Sequence, residues 1–150
     1  MGRDFKKYEH ECEALREENA KLLDAFAEWL VAKGLAEKTI EQHTRNIDFY
    51  INEFLLYDDA VAAADGVASV GMFLGYWFIR KAMWASATSI RSNAASLKKF
   101  YQFMREQGRI DQLALDELKS EIKGGLPEWL ATLSRYDDPY IEDPEDIWQI

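Results

Sequence analysis

Apolar residues recur at alternating spacings of three and four from the start of the chain. Phe5, Tyr8, Cys12, Leu15, Asn19, Leu22, Phe26 and Trp29 make one such row, a heptad seam with a single polar side chain, Asn19, toward its middle. Charged residues such as Glu9, Glu13, Arg16, Glu17 and Lys21 fill the other faces. The row predicts one long helix, or two consecutive ones, over 5–32. It ends at Lys33-Gly34, where glycine can take the left-handed cap conformation. Two readings of the seam stand side by side. One is a short dimerising coiled coil with Asn19 fixing the register, giving a homodimer through Phe5–Trp29; the other is a helix packed on its own domain.

A second helix follows over 36–56, with Ile40, His43, Ile47, Tyr50, Ile51, Phe54 and Leu55 as its buried stripe. Asp58, Asp59, Asp65 and Gly66 mark a loop. A third helix over 67–84 is apolar on most faces, the pattern of a bundle centre, so its aromatics read as core rather than as a platform for stacking bases. Gly71 and Gly75 on it have the spacing that permits close helix packing. Ser86-Ala87-Thr88 supplies N-cap chemistry for a fourth helix over 89–107, which stops at Gly108. Ile90, Ala94, Leu97, Phe100, Tyr101 and Met104 face inward on it, leaving Arg91, Ser92, Lys98 and Lys99 for solvent or a ligand. A fifth helix over 113–123 runs into Gly124-Gly125, and Pro127 opens a short sixth through Leu133. From Asp137 onward six acids and no base suggest an extended tail, with Ile147, Trp148 and Ile150 available to anchor its end. Period-two alternation is absent, and the three prolines all fall after residue 126, so no sheet is expected.

Composition narrows the class. A chain of 150 residues is one domain and can bury roughly 68–70% of its unfolded surface without a metal or disulfide. The lone Cys12 cannot form an intramolecular disulfide, which suits a reducing, cytoplasmic setting. The charged N-terminus has no signal-peptide pattern, and the longest apolar stretch, 67–79, is broken by Ser69 and too short to span a bilayer. No membrane partner is expected.

Charge is the most informative departure from the average. The net charge is −9, yet the segment 79–109 holds Arg80, Lys81, Arg91, Lys98, Lys99, Arg105 and Arg109 against one acid, Glu106. That local excess is either a solvated helix face or a surface for a polyanion such as DNA. The acidity of the remainder confines any nucleic-acid binding to one face.

Catalytic chemistry is sparse. His10 and His43 have no metal-ligand spacing with each other or with Cys12, no phosphate-binding glycine loop occurs, and no pair of acids stands out. His43 lies on an apolar stripe and reads as a packed histidine rather than a base. No catalytic residue, cofactor or metal is expected.

Two stretches together resemble the core-binding domain of tyrosine recombinases and phage integrases. The first is FAEWLVAKGLAEKTIEQHTRNIDFYINEFL, 26–55, which is similar to the family's aromatic-rich first helix, its "KGLS" corner and the "TI" that opens its next helix. Here the corner serine is Ala36, and His43 stands where the family usually has tyrosine. The second is SATSIRSNAASLKKFYQFMREQGRI, 86–110, with Ser89 at the threonine and Lys98 at the arginine of the family pattern. The likeness covers about 22–110.

The resemblance implies an all-α, SAM-like fold: four core helices, an N-terminal helix and short C-terminal helices. The organisation would be a helical extension (1–21), the core-binding-like domain (22–110), closing helices (111–136) and an acidic tail (137–150). In that family the module forms half of a clamp around duplex DNA. By resemblance, Lys38, Thr39 and Arg45 of the second helix and Thr88, Ser89, Arg91, Ser92, Lys98 and Lys99 of the fourth would face DNA. The family's catalytic domain has no counterpart in the roughly 40 residues after Ile110, so the resemblance implies no strand cleavage or joining. The implied partner is double-stranded DNA, with a recombinase or another protein as a further candidate. An interaction module that kept the fold and lost DNA binding is the alternative. A tail folded over the basic helix, competing with DNA, is a third expectation.

Overall fold

A computed structural model describes residues 2–137 of the chain, and the described residues are helical with no strand. The expected acidic tail and its anchor residues Ile147, Trp148 and Ile150 lie outside the described residues, apart from Asp137.

Helix α1 spans Gly2–Ala32 without interruption, crossing the boundary expected at 21/22. Its seam is used inside the chain. Cys12, Asn19, Leu22 and Phe26 are buried, Trp29 is half-buried beside the buried Leu30, and Asn19 donates from Nδ2 to Asn52 Oδ1 at 2.8 Å and to the Ile51 carbonyl at 3.3 Å. Farther toward the N-terminus the Tyr8 hydroxyl donates to the Leu56 carbonyl. Phe5, at the open end, is 59% exposed. The helix ends in a Schellman motif: Gly34 has φ +84°, its N–H bonds the Val31 carbonyl, and Leu35 N–H reaches back to Leu30.

Helix α2 begins as an α-helix, Glu37–Asp48, and continues as a π-helix, Phe49–Phe54. Helix α3 starts as a 3₁₀ turn, Ala63–Ser69, and runs on through Val70–Met72, a π segment Phe73–Trp77, and Phe78–Lys81. The two π segments face each other through their rings: Phe54 lies 5.0 Å from Phe73 and 5.2 Å from Trp77, between centroids. Two buried phenols pin the start of α3. Tyr101 donates to the Ala63 carbonyl at 2.7 Å and Tyr50 to that of Gly66 at 2.6 Å. Burial pushes both hydroxyls far above the usual tyrosine range, so they remain donors.

Helix α4, Ala87–Glu106, opens with a capping box in which the Ser86 hydroxyl accepts from Ser89 N–H and the Ser89 hydroxyl accepts from Ser86 N–H. It closes with a second Schellman motif at Gly108, φ +75°. The expected inward residues are all buried, together with Asn93, Ser96 and Phe103.

The end of the described chain corrects the expectation of two short helices. Helix α5 spans Gln112–Asp137 and passes through Gly124, Gly125 and Pro127. Its buried row, Leu115, Leu118, Ile122, Trp129 and Leu133, keeps one register across the glycines and the proline. The Trp129 ring occupies the room that side chains at Gly75 and Gly125 would need: a Cβ on Gly75 would lie 2.6 Å from Trp129 Cδ1, and one on Gly125 would meet the same ring. Gly125 is therefore a slot for an indole rather than a helix stop, and Gly75 gives α3 its close approach to α5. Burial of that row outweighs the one backbone hydrogen bond that Pro127 removes.

Candidate nucleic-acid interface

Helices α2 and α4 pack side by side, and a polar cluster fastens them. His43 Nδ1 lies 2.7 Å from Ser96 Oγ. Asn46 Nδ2 donates to Ser96 Oγ at 2.9 Å and to Ser92 Oγ at 3.0 Å, while Gln42 Nε2 donates to Asn46 Oδ1 at 2.9 Å. His43, Asn46 and Ser96 are buried, so these bonds replace lost hydration. Because Ser96 already accepts from Asn46, its proton is best given to His43, which makes the neutral ring an acceptor at Nδ1. Burial, reinforced by the Lys99 ammonium, holds His43 below the usual histidine pKa.

These pairs fix the register. Asn46 meets Ser92 and His43 meets Ser96, so the helices run antiparallel. The start of α2, with Lys38 and Thr39, therefore lies alongside the second half of α4, near Lys99. Arg45 lies alongside the first half, which holds Thr88 and Arg91. The two groups of candidate residues thus fall at opposite ends of one helix pair.

On α4, Arg91, Lys98 and Arg105 are exposed and spaced seven apart, so they share one face. Lys38, Thr39, Arg45 and Thr88 are also exposed, and Lys99 is half-buried. Among the described residues the one ion pair is Arg109–Glu18 at 3.1 Å, so no carboxylate pairs with Lys38, Arg45, Arg91, Lys98 or Lys99. Glu106, the only acid in the basic segment, accepts from Trp29 Nε1 at 3.0 Å; that bond and the nearby Lys33 hold its carboxyl below the usual range. The positive charge belongs to α4, because Lys38 and Arg45 on α2 are interspersed with exposed Glu37, Glu41 and Asp48.

Two candidates have structural partners. Ser92 was expected to face solvent or a ligand, but it is one turn from Ser96 on the side toward α2 and accepts from Asn46. The Ser89 hydroxyl is engaged in the capping box and donates back toward the Ser86 and Trp84 carbonyls. Both hold the helices that present the cations. Ala36 is the N-cap of α2 and supplies no side-chain bond.

Sequence reasoning missed Gln42, Asn46, Asn93 and Ser96. Gln42, Asn46 and Asn93, with Arg45, Asp48, Phe49 and Trp84, line a groove of about 540 Å³ where α2 meets the start of α4. The signal was present in Ser92 and Ser96, four apart on one helix, opposite His43 and Asn46, three apart on the other. Among the described residues no three His, Cys, Asp or Glu side chains gather as a metal site, and no helix is long and apolar enough to cross a membrane.

Comparison with protein-family models, with curated proteins and with solved structures finds no match.

Proposed function

We propose that this chain is a non-catalytic module that contacts duplex DNA, with the SAM-like core-binding architecture of tyrosine recombinases. The observation that carries the reading is the exposed row Arg91, Lys98 and Arg105 on α4, unpaired with any carboxylate among the described residues and fastened to α2 by a buried polar cluster. Rigid presentation matters, because phosphate contacts made by preordered side chains lose less entropy on binding. Lys38 and Thr39 at one end of the pair and Arg45 and Thr88 at the other extend the contact along the backbone. Such contacts set position on the duplex and carry no sequence information by themselves.

The test is charge reversal. Lys98→Glu with Lys99→Glu abolishes binding to a generic duplex, while the circular dichroism spectrum and melting temperature stay near those of the parent. Unchanged affinity in that variant removes α4 from the interface.

A further inference from the structure

The groove where α2 meets the start of α4 holds chemistry that the basic row does not use. Asn93, on its lining, stands two residues on from Arg91, about 200° round α4, so the groove opens away from the row Arg91, Lys98 and Arg105. Its volume of about 540 Å³ is room for a side chain and the backbone that carries it. One wall is aromatic. Trp84, in the turn before α4, is 59% exposed, yet Phe49 and Phe78 brace its ring at centroid distances of 5.3 and 6.2 Å. A large ring held in place with one side left to water is a platform for a flat or cationic group.

The polar groups on the lining are short of donors. Asn93 is 3% exposed, and its Nδ2 turns back to donate to the Ser89 carbonyl at 2.8 Å, which leaves Oδ1 as the other end of the amide. That oxygen accepts no bond among the described residues, and it is not sealed, since Trp77 Nε1 is the one enclosed side-chain atom there without a partner. Asn93 Oδ1 therefore opens to the groove that Asn93 lines. Two carboxylates, Asp48 and Glu53, line it against one cation, Arg45, and none of the three is ion-paired among the described residues. Asp48 already accepts from Asn52 Nδ2 at 2.6 Å, while Glu53 is exposed and uncommitted there. A carbonyl oxygen, a spare carboxylate and an indole face call for a ligand that is flat, positively charged and rich in N–H groups. A guanidinium is all three; an ammonium is not planar, and a phosphate meets the two carboxylates. The net charge of −9 adds long-range attraction for a basic partner.

We propose that this groove seats an arginine side chain of a basic protein partner, its guanidinium stacked on Trp84 and donating to Asn93 Oδ1 and the Glu53 carboxylate. The assignment does not rest on DNA binding. The probe is the capped peptide acetyl-Gly-Arg-Gly-amide, titrated into the nitrogen-labelled full chain and followed by proton–nitrogen correlation spectra, with Trp84→Phe identifying the Trp84 indole signal. Saturable shifts at that indole and at the Asn93 side-chain amide are expected. The lysine peptide shifts the same signals with several-fold weaker affinity, and the citrulline peptide, isosteric but uncharged, shifts neither. Trp84→Ala weakens arginine binding about tenfold and Glu53→Gln several-fold, both at exposed positions, with the melting temperature near that of the parent. No saturable shift with the arginine peptide, equal shifts with citrulline, or unchanged affinity in both variants overturns the proposal. So does adenosine monophosphate moving these signals in the peptide's place, which gives the groove to a nucleotide, or free arginine binding more tightly than the peptide, which gives it to the amino acid. A parent that sediments as a dimer dispersed by the peptide gives it to a second copy of this chain and overturns the assignment to another protein.

Discussion

Removing the Ser96 hydroxyl tests whether the α2–α4 polar cluster is as interlocked as its geometry indicates. Ser96 is fully buried, and its Oγ serves two partners, His43 Nδ1 at 2.7 Å and Asn46 Nδ2 at 2.9 Å. In Ser96→Ala the Asn46 amide retains Ser92, but the His43 ring nitrogen loses the only partner it has among the described residues. An orphaned buried acceptor costs about 1–3 kcal/mol. A loss of about 2 kcal/mol in a domain of this size lowers Tm by roughly 4–8 °C. Ser92→Ala is the internal control. It removes one of two acceptors from a half-buried site and orphans nothing, so its cost is about 1 kcal/mol or less. Thermal and urea unfolding followed by circular dichroism read both variants. A Ser96→Ala protein that melts within a degree of the parent, or one more stable than Ser92→Ala, refutes the reasoning.

Three further outcomes rest on the same packing. Because the folded His43 pKa lies below its ordinary value, the unfolded chain takes up a proton first as pH falls below about 6.5. The stability tied to neutral His43 is thus present above that pH and lost as pH drops toward the folded value; in His43→Gln the decline between pH 7.5 and 5.5, read by urea unfolding, is smaller than in the parent. Gly75→Ala drives a methyl to 2.6 Å from the Trp129 ring, and the α3–α5 contact loosens by about 1–3 kcal/mol, seen as a lower urea midpoint. Leu15→Asp leaves the sedimentation mass at that of a monomer, because the seam from Tyr8 to Phe26 is engaged within the chain.

Much of the fold is legible in the sequence where one physical signal dominates. Gly34 and Gly108 take the left-handed conformation at the helix ends they were expected to close, and the inward stripe of α4 is buried as its spacing requires. The α5 region misleads because two signals conflict. Gly124-Gly125 and Pro127 are strong local punctuators, yet the three-and-four spacing of Leu115, Leu118, Ile122, Gly125, Trp129 and Leu133 runs through them. Counting Gly125 as part of that row, rather than as a break, reads the helix correctly. The π segments are not legible, since they lie where rings from α2 and α3 meet across the core, a contact that local spacing does not encode. At the candidate interface, charge and spacing identify the exposed cations. They do not identify the serines that face the neighbouring helix, because a hydroxyl one turn from another hydroxyl suits solvent and a buried amide equally well.

Binding of the intact protein to a generic 30-base-pair duplex, followed by fluorescence anisotropy from low to physiological salt, tests the central claim most directly. Phosphate contacts from Lys38, Arg45, Arg91, Lys98 and Lys99 predict binding that weakens with a log–log salt slope of about −4 to −5. No binding even at low salt contradicts the account and turns attention to a protein partner for the same helices.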